Sequence, residues 1–133
     1  VFVRSPVQLD RARAAVRLAQ LPATVLDEHV ETRNSHVSIS TMHLAKGLEF
    51  RAVAVMACDD EVLPLQERIE TVGDDGDLQE VYDTERHLLY VACTRAREQL
   101  LVTGVSPGSE FLDDLAIHQG SDPSGPALGA KEV

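Results

Sequence analysis

The chain is 133 residues long with a mass of 14.5 kDa, which suits one domain. Hydrophobic residues make up 44% and charged residues 26%, the balance of a globular protein. No apolar run reaches the roughly 18 residues that a membrane span needs, so we expect no membrane partner. The net charge of −10 counts against a free-standing nucleic-acid-binding domain, because such domains are usually basic.

The first third of the chain predicts three strands and one helix. Residues 1–3 form a short β-prone run, and residues 7–20 suit a helix because apolar side chains recur every three or four positions. Residues 24–26 and 37–41 suit strands, the second because apolar and polar side chains alternate along it. The polar segment between them, residues 27–36, is predicted to be a loop.

An acidic segment follows the next predicted strand. Residues 52–57 form a continuous apolar run, which is typical of a parallel strand covered on both faces. Residues 59–85 then contain eleven acidic side chains and a single basic one, Arg68, so this segment accounts for the whole net charge. Because it also contains proline and glycine, we predict a mobile acidic loop inserted into the domain.

The remaining elements complete the predicted fold. A helix is expected from residue 81 to about residue 93, a strand over residues 98–103, and a short helix over residues 109–115 with Ser109 as its N-cap. This order favours an open, mostly parallel α/β sheet flanked by helices. Functional loops of such sheets follow the carboxyl ends of the strands, so we expect the site there.

The two cysteines predict no metal site. Cys58 and Cys93 lie far apart and in no zinc-binding pattern, so we expect buried thiols in a reducing compartment, the cytoplasm. No signal peptide is apparent at the start. The first residue is Val1 rather than Met, which suggests a piece of a longer protein.

The turn between the strands at 37–41 and 52–57 concentrates polar side chains. Thr41 and His43 can donate hydrogen bonds to phosphate oxygens, Lys46 offers a positive charge, and Glu49 can accept hydrogen bonds from sugar hydroxyls. Gly47 permits an unusual backbone angle or close approach to a ligand. The same composition also suits an ordinary solvent-exposed turn whose side chains satisfy the local backbone.

An arginine near the end of the second predicted helix, Arg95, raises a question of burial. At 100° per residue from Leu88, Arg95 falls on the apolar side of the helix, and Arg97 on the opposite side. A buried guanidinium needs an anionic partner. Either the helix ends before Arg95, or the side chain forms a salt bridge with a core carboxylate, or it enters a cleft that holds a phosphate.

The acids that follow the apolar run at 52–57 superficially suggest a magnesium site. Cys58 is followed by Asp59, Asp60 and Glu61, as in a Walker B strand. A Walker B strand works with a Walker A segment, G-x-x-x-x-G-K-[ST], and neither Lys46 nor Lys131 lies in one. We therefore expect that the chain alone cannot hydrolyse a nucleoside triphosphate by the P-loop route.

Two stretches, taken together, identify a family. Residues 41–50, Thr-Met-His-Leu-Ala-Lys-Gly-Leu-Glu-Phe, closely resemble motif V of UvrD/Rep-type superfamily 1 DNA helicases. Residues 85–96, Glu-Arg-His-Leu-Leu-Tyr-Val-Ala-Cys-Thr-Arg-Ala, resemble motif VI, in the expected order. The resemblance implies that residues 1–117 are the C-terminal portion of the second RecA-like domain, with the acidic 59–85 segment inserted. Residues 118–133 are predicted to be a disordered tail, because Gly, Pro and Ser dominate there.

The resemblance implies roles for residues that face ATP. Arg95 matches the motif VI arginine that reaches the γ-phosphate as an arginine finger, and Glu49 matches the motif V acid that contacts the ribose. Lys46 and Gly47 lie beside Glu49, and we expect them to contribute to the same ATP-binding surface. The cofactor is therefore expected to be ATP with Mg²⁺, bound mainly by a first RecA-like domain that this chain lacks.

The resemblance also implies a DNA-facing surface. Thr41 and His43 match the motif V positions that contact the backbone of single-stranded DNA. The expected partners are thus single-stranded DNA and the rest of a helicase chain, and the expected activity is that of an ATP-dependent 3′–5′ DNA helicase or translocase. This chain is expected to be inactive alone, since the Walker A lysine, the Walker B acids and the motif IV arginine are absent.

Two alternatives stay open at this point. The chain suits a non-catalytic helicase-like module that uses the acidic 59–85 segment to bind proteins, and the missing Walker A segment favours that alternative. A helicase fused to a nuclease or to another upstream domain is the other.

Overall fold

A parallel sheet forms the centre of the computed structural model, which describes residues 1–29 and 31–116. Within those residues the sheet has five strands in the order β2–β3–β1–β4–β5, and every neighbouring pair is parallel. The strands are β1 (Phe2–Val3), β2 (Ala23–Val25), β3 (Val37–Thr41), β4 (Phe50–Val55) and β5 (Ala96–Val102). The prediction of an open, mostly parallel α/β sheet is confirmed.

Helices cover both faces of the sheet. A short 3-10 helix (Pro6–Gln8) leads into α1 (Leu9–Leu18), and α2 (Gln66–Glu70), α3 (Asp75–Thr94) and α4 (Phe111–Ala116) follow β4 and β5. No helix in the described part of the chain is long and apolar enough to cross a membrane.

Each face has its own apolar core. On the α1 side, Ala12 and Val16 of the helix pack on Val3 and Ile39 of the sheet, at the spacing of four that the helical periodicity predicts. The larger core lies on the α3 side, where Leu89 and Ala92 contact residues of the sheet and of the loops. Its buried members are Phe2, Met42, Ala45, Val53, Val55, Cys58, Leu63, Leu89, Ala92, Val102 and Phe111.

The prediction of a loop over residues 59–85 was wrong for most of that segment. Residues 66–70 form α2, and α3 begins at Asp75, six residues before the predicted start at residue 81. The Asp74 carboxylate caps α3 by accepting a hydrogen bond from the Asp77 backbone N–H at 2.9 Å. Acids in the first turn also interact favourably with the positive end of the helix dipole, so acidity favours helix here.

The other elements match their predictions with small shifts at the boundaries. The strand predicted at 52–57 ends at Val55, and Ala57 then adopts a left-handed backbone with φ +58° that no extended strand accommodates. Ser109 accepts a hydrogen bond from the Phe111 backbone N–H at 3.2 Å, although it lies one residue before the N-cap position, because α4 begins at Phe111. The tail predicted at 118–133 lies outside the described residues.

Two free thiols are present at Cys58, which is buried, and at Cys93, which is partly buried. Burial raises the pKa of Cys58 to about 12 and that of Cys93 to about 11. Both side chains pack in the core on the α3 side of the sheet, as apolar residues do.

Gly104, which follows β5, lies very close to the backbone of Cys58. Substitution at this glycine therefore tests how tightly the two segments pack. A Cβ atom at Gly104 would lie 2.4 Å from the Cys58 carbonyl oxygen, whereas a Cβ at Gly73 would meet no atom within 4 Å. We expect Gly104→Ala to lower the free energy of unfolding by about 1–3 kcal/mol, because backbone must shift to admit the methyl group. Gly73→Ala is the matched control and should change it by less than about 1 kcal/mol. Urea unfolding of both variants measures the difference, and equal stabilities would contradict the contact.

Candidate functional site

A short crossover, residues 42–49, carries the polar turn predicted as functional. It connects β3 to β4, which lie on either side of β1. Ser40 and Val55 are level with each other, because both pair with Phe2. Phe50 lies five residues before Val55, roughly 17 Å along the strand direction at about 3.3 Å per residue. The crossover therefore starts at the carboxyl edge of the sheet and ends at the amino edge.

The apolar residues of the crossover anchor it beneath α3. Met42 and Ala45 are fully buried in the core shared with Leu89 and Ala92 of that helix. Met42 to Leu44 form a single 3-10 turn. The polar side chains are consequently left facing solvent: His43, Lys46 and Glu49 are all exposed. Gly47 has φ +82°, a backbone conformation that side chains rarely adopt.

Arg95 lies against the end of this crossover. Helix α3 ends at Thr94, so Arg95 is its C-cap and not a residue of the apolar helix face. The Arg95 guanidinium donates through Nη1 to the Leu48 carbonyl at 3.4 Å and through Nε to the Val91 carbonyl at 3.1 Å. The Phe50 backbone N–H donates to the Arg95 carbonyl at 2.9 Å, which fixes the two segments side by side.

The partners of Arg95 leave its charge uncompensated. No carboxylate of residues 1–29 and 31–116 forms an ion pair with it, so the salt bridge to a core carboxylate that the sequence left open is not found there. Neutral carbonyls hold the guanidinium more weakly than an anion would. The group is half-buried and retains its full positive charge.

Glu49 and Arg97 complete this edge. Arg97 Nε lies 3.6 Å from Glu49 Oε1, and both side chains are more than half exposed, so the pair is loose. Lys46 makes no ion pair with any residue that the structure describes. The surface near the start of β4 and β5 therefore carries four cations, Lys46, Arg51, Arg95 and Arg97, and two carboxylates, Glu49 and Glu98.

Thr41 and His43 lie at the other edge. Thr41 is the last residue of β3 and His43 lies two residues beyond it, so these two have the position expected at the carboxyl end of a strand. Lys46, Gly47, Glu49 and Arg95 lie away from that edge, toward the amino edge, and for their position the expectation was wrong. The physical reason is that the crossover returns to the amino edge within eight residues. The predicted residues thus form two surfaces on opposite edges of one sheet.

A buried ion cluster beside His43 was missed in the sequence. Glu85 of α3 is completely buried and accepts hydrogen bonds from Arg4 Nε and Nη2, both at 2.6 Å, and from Arg68 Nη1 at 2.8 Å. The Leu65 backbone N–H donates to the same carboxylate at 3.1 Å. The spacing contained a signal, because Glu85 lies four residues before Leu89 and seven before Ala92, on the apolar face of α3.

The cluster alters the proton affinity of both titratable groups at this edge. Burial by itself would raise the pKa of Glu85, but the hydrogen bonds from Arg4, Leu65 and Arg68 hold it below its usual range. Partial desolvation and the positive charge of Arg4 lower the pKa of His43, with Glu85 opposing and Arg68 adding to the effect. The neutral form of His43 is therefore favoured, and two arginines lie within electrostatic reach of it.

Asp59, the first of the acids after β4, has a structural role. The Asp59 carboxylate accepts from Arg11 Nη1 of α1 at 2.5 Å and from the Val105 backbone N–H at 2.7 Å. It ties α1 to the loop after β5. Among residues 1–29 and 31–116, no group of three His, Cys, Asp or Glu side chains lies close enough to hold a metal ion.

The sequence match decides the family. The UvrD-like helicase C-terminal domain family matches residues 13–106, which is most of the chain and includes both polar surfaces. The chain belongs to this family. The resemblance of motifs V and VI to UvrD/Rep-type helicases is thereby confirmed.

Individual relatives agree with the family. The ATP-dependent DNA helicase UvrD1 of Mycobacterium leprae is 40% identical over 100 residues, covering 67% of this chain and 12% of the relative. The ATP-dependent DNA helicase PcrA of Staphylococcus aureus (strain MRSA252) is 41% identical over 76 residues, covering 57% of this chain and 10% of the relative. The chain thus spans about a tenth of the length of these relatives.

A solved structure supports the fold. The C-terminal domain of a possible DNA helicase from Lactobacillus plantarum superposes with a TM-score of 0.55 at 23% identity. The superposition covers 83% of this chain and 57% of the other.

The Asp59 interactions give a pH-dependent contribution to stability. Burial alone would raise the pKa of Asp59, but the hydrogen bonds from Arg11 and Val105 lower it below the unfolded value. This stabilisation is therefore present above the unfolded pKa of about 4 and is lost as the pH falls through the folded pKa. We expect Asp59→Asn to cost about 1–2 kcal/mol of unfolding free energy at pH 7 and less below pH 4. Urea unfolding at several pH values measures it, with Asp10→Asn, an exposed acid paired with Arg13, as the control.

Proposed function

We propose that this chain works within a longer ATP-dependent 3′–5′ DNA helicase or translocase, as the C-terminal portion of its second RecA-like domain. One observation carries the proposal: the Arg95 guanidinium lies on the motif V turn at Leu48, without a carboxylate among the described residues to neutralise it. The names of the relatives, ATP-dependent DNA helicases, supply the activity class.

The amino-edge surface faces ATP in this proposal. Arg95 exchanges the neutral carbonyls of Leu48 and Val91 for the γ-phosphate oxygens, whose negative charge makes stronger hydrogen bonds. A planar, permanently charged guanidinium suits the charge that spreads over those oxygens in the transition state. Glu49 accepts from the ribose hydroxyls, and Lys46 and Gly47 form the adjoining surface.

The described residues do not fit the Mg²⁺ that accompanies ATP. The amino-edge surface presents Lys46, Arg95 and Arg97, and the carboxylates there, Glu49 and Glu98, already lie near Arg97 and Arg51. Hard cations require several oxygen ligands, which this surface lacks. We assign Mg²⁺ to the first RecA-like domain, together with the Walker A lysine, and expect this chain to be inactive alone.

The carboxyl-edge surface faces single-stranded DNA. Thr41 and His43 donate to backbone phosphates, and Arg4 and Arg68 together outweigh the charge of Glu85 beneath them. Arg68 is partly exposed at this edge, in a chain whose net charge is −10. Since phosphate contacts supply most of the affinity of non-specific DNA binding, a small cationic surface suffices to guide the strand.

A second candidate function is a protein-interaction module, favoured by the acidic surface on α2 and α3. Exposed acids without an ion-pair partner among the described residues include Glu67, Glu70, Asp74, Asp75, Asp77 and Glu80. The two candidates differ in one cheap observation. A helicase polypeptide contains a G-x-x-x-x-G-K-[ST] segment upstream of this chain, and a non-catalytic module does not.

Substitution of Arg95 tests the proposed contact with ATP. In the intact polypeptide we expect Arg95→Ala to reduce the kcat of DNA-stimulated ATP hydrolysis by about a thousandfold, the range that an arginine finger contributes. The fold should be unaffected, because the side chain contacts only carbonyls and a hydroxyl. Steady-state ATP hydrolysis at saturating single-stranded DNA measures the effect.

The control for Arg95 is Arg13→Ala. Arg13 lies on α1, on the opposite side of the sheet, in an exposed pair with Asp10. It should retain the wild-type rate. A rate for Arg95→Ala within about tenfold of wild type would remove the proposed role, because a lost arginine finger costs far more.

Substitution of His43 tests the proposed contact with single-stranded DNA. We expect His43→Ala to raise the DNA concentration that gives half-maximal ATP hydrolysis by about three- to tenfold, since one neutral hydrogen bond contributes about 1 kcal/mol. The rate at saturating DNA should change less. His36→Ala removes a second exposed histidine, in the loop before β3, and serves as the control. An equal response of the two variants would count against a specific contact at His43.

A further inference from the structure

Glu85 joins three segments of the chain at one buried point. Arg4 directly follows β1, Leu65 and Arg68 belong to the segment after β4, and Glu85 itself lies in α3. All four hydrogen bonds converge on one carboxylate that is completely buried. Among the eleven acids of residues 59–85 it is the one that is fully buried.

These segments border the surface that carries His43. The 3-10 turn Met42–Leu44 packs on α3, and the charges of Arg4, Glu85 and Arg68 all act on the His43 imidazole. Arg4 is fully buried, whereas Arg68 is 38% exposed and reaches the surface. The position of Arg68 and of the segment after β4 therefore depends on the Glu85 carboxylate.

The same helix ends at the other surface. Glu85 and Arg95 are ten residues apart on α3, a distance of roughly 15 Å at 1.5 Å per residue. A displacement of this helix along its axis on the Arg95 side would therefore also move Glu85, because a helix is stiff over this length. Glu85 would then carry the shift to Arg4, Arg68 and the segment beside His43.

We propose that Glu85 is a positioning residue that links the DNA-facing surface of the domain to the helix that ends at Arg95. The inference rests on the proposed function, because it assigns the DNA side to the carboxyl edge. The further step is that one side chain, Glu85, makes the affinity of the carboxyl-edge surface for DNA depend on the ATP-facing surface.

A purely stabilising role explains the cluster less well. An apolar side chain of similar volume often stabilises a domain as well as a buried ion pair does, or better. A carboxylate that holds two arginines and a backbone N–H instead fixes the relative orientation of three segments. Such an orientation matters where a surface must match a ligand.

The experiment compares two opposite expectations for the affinity for single-stranded DNA when the negative charge of Glu85 is removed. Glu85→Gln, made in the intact polypeptide, removes a negative charge near His43. By simple electrostatics that variant should bind DNA as well as wild type or better. Loss of positioning predicts the opposite: the single-stranded DNA concentration for half-maximal ATP hydrolysis should rise about tenfold, while kcat at saturating DNA falls less than threefold.

Two further variants complete the design. Glu98→Gln removes the same charge from an exposed pair with Arg51 and should leave the half-maximal DNA concentration unchanged or lower. Glu85→Asp retains the charge but shortens the side chain by one methylene, so it cannot reach all four donors. It should raise the half-maximal DNA concentration in the same direction as Glu85→Gln, and it is the variant to rely on if Glu85→Gln does not fold.

The outcomes are distinct. An unchanged or lower half-maximal DNA concentration for the Glu85 variants overturns the proposal. So does a fall in kcat that matches the change in half-maximal DNA concentration. A failure of both variants to fold also overturns it. A wild-type polypeptide whose ATP hydrolysis does not respond to DNA removes the proposed function itself. If DNA stimulates ATP hydrolysis by the wild-type polypeptide and the Glu85 variants respond to DNA as the wild type does, only the role of Glu85 is removed.

Discussion

Eight residues have to connect two parallel strands across the strand between them, and this constraint organises the whole candidate site. Parallel crossovers usually take a dozen or more residues and include a full helix. Residues 42–49 make the crossover from β3 to β4 with a single 3-10 turn, so they run directly from one edge of the sheet to the other. Met42 and Ala45 pack against the sheet and α3, which leaves the polar side chains on the outside and fixes which edge each one reaches.

Helix α3 is the second rigid part, and its C-terminal half runs alongside the crossover. Its apolar face packs on the crossover through Leu89 and Ala92. The crossover and the helix therefore move together, since shifting one against the other would open a packed core. Two surfaces on opposite edges, one with Arg95 and one with His43, are held by the same pair of elements.

Much of this arrangement follows from local patterns in the sequence. Alternation along 37–41, the apolar run near 52–57 and the helical spacing of Ala12 and Val16 each gave the correct element, because burial on a sheet imposes those periods. The ten residues of motif V and the twelve of motif VI gave the family. Their adjacency in space, with Arg95 on the Leu48 carbonyl, was also anticipated from the motifs.

Long-range information was missing where the predictions failed. Gly73, Gly76 and a high density of acids suggested a loop, yet one capping interaction at Asp74 is enough to start α3 at the next residue. Glu85 was counted with the acids of the predicted 59–85 loop, because its partners Arg4 and Arg68 are 81 and 17 residues away. The split of the site between two edges depended on the strand order, which no local pattern contains.

The acidic start of α3 has a consequence for how a polyanion approaches the chain. Glu85 contacts Arg4, which directly follows β1, so the ten residues of α3 before Glu85 extend past the carboxyl edge of the sheet. The carboxylates of Asp75, Asp77 and Glu80 in this part of the helix are exposed, on the same helix as the Glu85 carboxylate that binds Arg4 and Arg68. A polyanion that approached this edge would therefore meet repulsion from the start of α3 and attraction from Arg68. Lowering the ionic strength would strengthen both effects, because it lengthens the Debye length.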